Sequence, residues 1–179
     1  VIDDAERALG AMDPRSLTLM LRTVHELVAF GIAVRRLETQ PARAAIERAK
    51  RAVRDAGIPA LEAEVQSASQ VLTSHAARLI ARGEQRPLLL ADVEALFASK
   101  SLVVDACRHA VRRGGKIVSL ATRPVLFALA RALGEAWRGD VARDVLIARA
   151  FGSNFTDESH RARLRVEMAR LRTKLRGLA

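Results

Sequence analysis

Residues 157–175 read DESHRARLRVEMARLRTKL. At about 100° per residue, Leu164, Met168, Leu171 and Leu175 fall within about 60° of one another. They form one narrow apolar seam along a helix. Arg161, Arg165 and Arg172 lie on one flank, and Arg163, Arg170 and Lys174 on the other. Ala162, Val166, Ala169 and Thr173 face away from the seam. Asp157 stands where an N-cap is needed, and Glu158 suits the positive end of the helix dipole. A helix of this pattern packs by its seam and presents a basic surface with a small-residue floor. Such a floor can lie deep in a DNA major groove and touch thymine methyls, while the flanking arginines reach phosphates and base edges. The plainer alternative is a solvated basic helix with no ligand.

Working back from this helix, the polar loop Ser153-Asn154-Phe155-Thr156 follows Gly152, which ends an earlier helix. That helix is capped by Asp140 and uses Val145, Leu146, Ala150 and Phe151 as its apolar face. Before it, Pro124 opens a helix at N1. Its face is Val125, Leu126, Leu129, Ala130, Leu133 and Trp137, and Gly139 breaks it. Trp137 is expected in the core. Further back the period changes to two. Leu102-Val103-Val104 is a short β run, and Cys107, His109 and Val111 alternate with Arg108, Ala110 and Arg112. Gly114-Gly115 supplies the two positive φ values of a type I′ hairpin turn, and Lys116–Leu120 returns as a strand.

Three stretches of this second module carry a resemblance. LVVDACRHAVRRGGKIVSLATRP looks like the leading strands of the winged-helix effector domain of bacterial response regulators, the OmpR/PhoB type. DVARDVLIARAFG is similar to that family's second helix, with Val141, Arg143, Leu146, Phe151 and Gly152 in the patterned places. RLRVEMARLRTKL resembles its recognition helix, through Met168, Arg170, Leu171, Arg172 and Leu175. The likeness spans roughly residues 102–175. It implies sequence-specific duplex-DNA binding by a helix-turn-helix with a β-hairpin wing. On that implication Arg161, Arg163 and Arg165 take the early, base-facing part of the recognition helix. Arg170 and Arg172 take places that serve phosphates or anchor the helix, and Arg143 is a phosphate contact. Lys174 on the basic flank, and His160 beside Arg161, complete the expected DNA-binding set, although a capping or solvated role for His160 is the stronger expectation. Three features depart from the family pattern. The leading sheet looks shorter than four strands. The chain stops four residues after Leu175, so the wing is trimmed or absent. No receiver pattern of αβ alternation with a phospho-acceptor Asp precedes the module, so phosphorylation control does not carry over.

Residues 1–100 read as helices. Pro14 opens one with Asp13 as N-cap, and Leu17, Leu21, Val24, Leu27, Val28 and Ile32 recur at helical spacing. Pro41 opens the next, with a small-residue face of Ala45, Ala49, Ala52, Val53 and Ala56, and Gly57 closes it. Ile58-Pro59 starts a third, along Leu61, Val65, Ala68 and Leu72. A short helix, Ala76 to Ala81, stops at Gly83. Another, Ala91 to Ala98, leads to a linker at Ser99-Lys100-Ser101. The segment AIERAKRAVRDAGIPALEAEVQSASQVL resembles one junction of a tetratricopeptide-like array, of the kind found in large bacterial regulators of the MalT type. No second copy appears at a fixed period. An ordinary antiparallel helical hairpin is the alternative.

Charge divides along the same line. Residues 1–100 hold 14 Lys+Arg and 13 Asp+Glu, whereas residues 101–179 hold 16 and 7. Nearly all of the net +10 therefore lies in the second part. This asymmetry predicts two modules, 1–100 for sensing, oligomerisation or protein docking and 101–179 for DNA. A GC-rich coding bias accounts for Arg over Lys but not for the split.

Other classes lose ground on composition. The chain has 179 residues, is half hydrophobic and is only 3% aromatic. Few aromatics argue against single-strand or RNA recognition, where bases stack on rings. The longest uncharged stretch, Val65 to Ala77, is 13 residues, too short for a membrane span. The lone Cys107 suits a reducing cytoplasm and is expected as a small core residue rather than a nucleophile. His25, His75, His109 and His160 show no ligand spacing, and Asp3, Asp4 and Glu6 read as a helix terminus rather than a metal site. No nucleotide, metalloprotease or redox motif occurs, so neither an enzyme nor a cofactor is expected.

The fold expected is mainly α with a small β component: helical hairpins, TPR-like, followed by a winged helix-turn-helix. The function expected is a cytoplasmic transcription regulator whose partner is double-stranded DNA. A homodimer or protein partner is expected through residues 1–100, and no membrane. The alternative is a protein-interaction module in which both parts dock a partner protein.

Overall fold

In the computed structural model, which describes residues 1–153 and 157–178, the chain is mainly helical with a small β component. It divides into two units, Val1–Arg78 with Pro87–Glu94, and Leu79–Arg86 with Ala95–Ala179.

The first unit is built from α1 (Ile2–Gly10), α2 (Leu19–Arg36), α3 (Thr39–Ala56), α4 (Pro59–Gln70) and the start of α5 (Leu90–Ala98). Small residues on α3 let α2 approach closely, and Phe30, Ala33, Ala42, Ala45, Ile46, Ala49, Val53 and Val65 form the core. Gly57 ends α3 in the left-handed conformation, as its sequence position predicts. Leu37 does the same for α2. Its N–H donates to Val34 O (3.1 Å) and that of Glu38 to Ala33 O (2.9 Å), the paired bonds of a Schellman motif. Glu38 gives α3 no side-chain cap. The cap comes from α5 instead: Thr39 N donates to Glu94 Oε2 at 2.9 Å. The Thr39 side chain close by, and then its N–H, which donates the hydrogen bond, hold the Glu94 carboxyl below its ordinary range.

Several expectations for this unit are corrected. Pro14 opens only a 3-10 turn, Pro14–Ser16, capped by Asp13 through Arg15 N. The long helix starts at Leu19 with Thr18 as N-cap, and α3 starts at Thr39, two residues before Pro41. The buried face of α2 keeps the predicted Ile32, with Leu27 packed against the core, but otherwise departs from the predicted stripe. It is Thr23, Glu26, Phe30, Ile32 and Ala33, while Leu21, Val24 and Val28 are exposed by 47%, 42% and 43%. Two polar residues reach the buried face because each finds a partner: Thr23 Oγ1 donates to Leu19 O at 2.9 Å, and Glu26 pairs with Arg48 at 2.9 Å. Periodicity of apolar residues alone does not reveal such partners.

The expected helix at Ala76–Ala81 is instead a strand. β1 (Ala77–Ala81) and β2 (Glu84–Leu88) form a two-stranded hairpin. Arg82 and Gly83, at φ 56° and 78°, turn the chain. Gly83 therefore serves a hairpin turn rather than a helix C-terminus, a distinction its identity alone does not make.

The second unit carries β3 (Val103–Asp105), β4 (Ala110–Arg113) and β5 (Lys116–Ser119) as an antiparallel sheet in that order. Gly114 and Gly115 have φ 53° and 84°, and Arg113 pairs with Lys116 across the turn, as expected. Cys107 and His109 are not in a strand. The Asp105 carboxylate accepts from the N–H groups of Cys107 and Arg108, both at 3.1 Å, and so ends β3 with an Asx-type turn. Cys107 is consequently exposed rather than core. His109 packs edge-on to Phe127, 4.6 Å between ring centres.

Three helices cover the sheet: α6 (Pro124–Glu135), α7 (Arg143–Phe151) and α8 (Glu158–Leu175). Pro124 is at the first turn, as predicted. Val111, Leu120, Leu126, Leu129, Ala132, Leu146, Ile147, Leu164 and Leu171 form the core. Trp137 is 65% exposed, because α6 ends at Glu135 and the chain turns away beyond it, with Arg138 at φ 76°. Asp140 does not cap α7. That helix begins at Arg143 after Ala142, and it buries Leu146 and Ile147 while Val145 is 44% exposed. Gly152 closes α7 in the left-handed conformation, at φ 67°. The predicted loop 153–156 lies largely outside the described residues.

Candidate nucleic-acid interface

The candidate surface is one side of α8, and its position is set by local chemistry. Asp157 caps the helix as predicted, accepting from His160 N at 2.8 Å and meeting His160 Nδ1 at 2.7 Å. These bonds, the backbone one foremost, hold the Asp157 carboxyl below its ordinary value. The seam packs inward: Leu164 and Leu171 are buried and Met168 and Leu175 half-buried against the core. Arg161, Arg163, Arg165, Arg170, Arg172 and Lys174 are exposed, as are Ala162, Val166, Ala169 and Thr173.

The basic residues fall into three groups. Arg165 pairs with Glu158 at 2.9 Å, Arg161 lies 3.8 Å from the same carboxylate, and Arg170 pairs with Glu167 at 2.7 Å. Arg163 lies over the Phe151 ring, 4.5 Å from its centre, which anchors it beside the end of α7. Among the described residues, no acid or acceptor engages Arg172, Lys174 or Arg143. Exposed pairs of the first kind exchange readily for a phosphate, because each contributes little in water. His160 is held in the Asp157 cap and half-buried, which makes it a positioning group at the start of the helix.

A shallow concavity runs along α8, lined by Val166, Ala169 and Thr173 and rimmed by Arg123, Arg170 and Lys174. Arg123 was missed in the sequence. It is the N-cap residue of α6, and among the described residues no acid or acceptor engages its guanidinium. An arginine directly before a helix-opening proline was the available signal.

Other cations of this unit have structural partners. Arg113 donates to Leu178 O at 2.8 Å, and Lys116 to Gly177 O at 3.1 Å, so the β4–β5 turn grips the end of the chain beyond α8. Arg112 stacks on Phe97 at 3.9 Å. Arg131, within α6, and Arg149, from α7, both donate to Glu135, and the second bond ties α6 to α7. Burial raises the Glu135 pKa, and these two hydrogen bonds outweigh it, leaving the carboxyl below its ordinary value. The excess positive charge is therefore only partly available, and α8 carries an exposed share of it.

No group of His, Cys, Asp and Glu among the described residues is arranged to hold a metal ion. Asp3 and Glu6 instead engage Arg36. Among the same residues, no helix is long and apolar enough to cross a membrane. The chain matches no protein-family model, no curated protein and no solved structure.

Proposed function

We propose that the chain is a sequence-specific duplex-DNA-binding regulator of transcription, with 101–179 acting as an OmpR/PhoB-type winged-helix module and α8 as its recognition helix. The observation that carries this reading is the outward side of α8. A floor of Ala162, Val166, Ala169 and Thr173 lies between exposed cations, two of them without any partner among the described residues. A major groove about 12 Å wide admits such a helix. The aligned small residues allow close approach, and the flanking arginines supply phosphate and base-edge contacts. The first unit then senses, dimerises or docks, as a TPR-like helical module.

The test is a salt series with the full chain on duplex DNA. Each phosphate neutralised contributes about −0.9 to the slope of log K against log salt. Failure to bind at low salt would sink the proposal.

A second reading has its own observation. Leu21, Val24 and Val28 leave α2 with an exposed apolar face. That favours a protein-interaction module, in which a partner protein covers α2. Salt-insensitive binding of a protein that protects α2 from exchange, with no DNA affinity, would select it.

A further inference from the structure

Helix α2 is the centre of the first unit, yet the unit covers only part of it. α1, α3 and α4 pack against it. At about 100° per residue, Met20, Leu21, Val24, Val28, Gly31 and Arg35 share an arc about 100° wide. None of the six is buried, and the four large apolar side chains are exposed. On both sides of this strip the helix is covered: Ile32 is buried on one, and Leu27 and Val34 pack against the core on the other. Leu21, Val24, Val28, Gly31 and Arg35 are spaced three, four, three and four residues apart, the spacing of a coiled-coil seam. Much of the apolar stripe that the sequence assigns to the core is therefore a seam that no helix of this unit covers.

The chemistry of the strip selects its occupant. From Met20 to Gly31 the strip carries no charge, and Arg35, which donates back to Gly31 O at 3.0 Å, closes one end. A lipid surface fits poorly, because the strip has no aromatic and α1 brings Asp3, Asp4 and Glu6 alongside α2. A second copy offers a charge-free strip of the same length. A parallel pairing would set Arg35 against its equivalent. An antiparallel pairing centred between Val24 and His25 sets Leu21 opposite Val28 of the second copy, and it holds the two Arg35 residues about 30 Å apart. Each Arg35 then stands level with the chain just before the other copy's α2. There Asp13 is exposed, and among the described residues its carboxylate is engaged only by Arg15 N. Charge thus favours a second copy, and the antiparallel direction.

We propose that the first unit self-associates through this strip, as an antiparallel α2–α2 pair about a two-fold axis near Val24. Self-association deepens the reading in which the first unit dimerises, and it gives α2 a second copy rather than an unrelated protein. It does not rest on α8. If α8 reads duplex DNA, the pair carries two recognition helices and favours inverted repeats. One helix pair buries less than the roughly 800 Å² per partner of a standard interface, so the dimer depends on concentration.

The test is the mass of the full chain in solution, measured by light scattering over a concentration series up to the solubility limit. The mass should rise from 19.5 kDa towards twice that value. Val24→Glu and Val28→Glu each put a carboxylate at an exposed site, so the thermal midpoint should hold. Self-association should weaken about tenfold or more, because the carboxylate enters an apolar seam. In a Cys107→Ser background, which removes the exposed native thiol, Val24→Cys should cross-link two copies under a mild oxidant. Arg35→Cys should not. A chain that stays a monomer at every concentration overturns the pair and leaves the α8 reading intact. So does a dimer that neither glutamate variant weakens, or one cross-linked through position 35 rather than 24. A monomer whose α2 is protected only by another protein overturns the pair and keeps the protein-docking reading. A dimer broken by Val24→Glu but without duplex affinity supports the pair and overturns α8.

Discussion

The two expected classes of arginine on α8 differ in what loss should do. Arg163 is anchored over Phe151 early in the helix, where a base edge would be met. Arg163→Ala should cost about 1–3 kcal/mol on the preferred duplex and relax preference at one position. Competition binding against single-base variants of the site would show it. Arg172 has no partner among the described residues. Arg172→Ala should weaken all duplexes alike and make the salt slope shallower by about one. Equal, sequence-independent effects of both substitutions would remove the distinction. These residues were legible in the sequence because a helix fixes which side chains share a face. Arg123 was not, because its place beside Val166 and Thr173 depends on how two helices meet. Trp137 failed for a related reason: apolar spacing continued past the last turn of α6, but the helix did not.

Among the elements, those ended by local chemistry were the ones the sequence revealed. Gly57, Gly152 and the Gly114-Gly115 pair all adopt positive φ. At Gly152 an added Cβ would meet nothing within 4 Å, so Gly152→Ala isolates the backbone term. It should destabilise the second unit by about 1 kcal/mol, visible as a lowered thermal midpoint. An unchanged midpoint would mean that the turn relaxes. The α3 N-terminus was hidden, because its cap arrives from Glu94, far along the chain. Glu94→Ala should cost about 1 kcal/mol, in the range of lost N-caps. The Glu94 carboxyl is held below its ordinary value, so its contribution is complete above the ordinary carboxylate range. That contribution is lost as the pH falls through the lowered value. The stability difference between wild type and Glu94→Ala should therefore be full at neutral pH and vanish in acid. A difference constant with pH would contradict the cap. The β1–β2 hairpin and the buried face of α2 were illegible for the same physical reason, since partners distant in sequence decide both.

At the scale of the whole molecule, the charge asymmetry organises the account. In the near-neutral first hundred residues Arg7, Arg36 and Arg48 engage acids. The basic remainder spends some on structure, at Arg113, Arg131 and Arg149, and keeps α8 accessible. Composition showed the imbalance; only the fold shows which cations are engaged. The most direct measurement is binding of the full chain to a random duplex library, followed by a salt series on the selected sequence. The account predicts an enriched motif, affinity well above that for random duplex, and a log–log slope of about −3 or steeper, as several phosphate contacts require. No enriched sequence, or an affinity indifferent to salt, would contradict it.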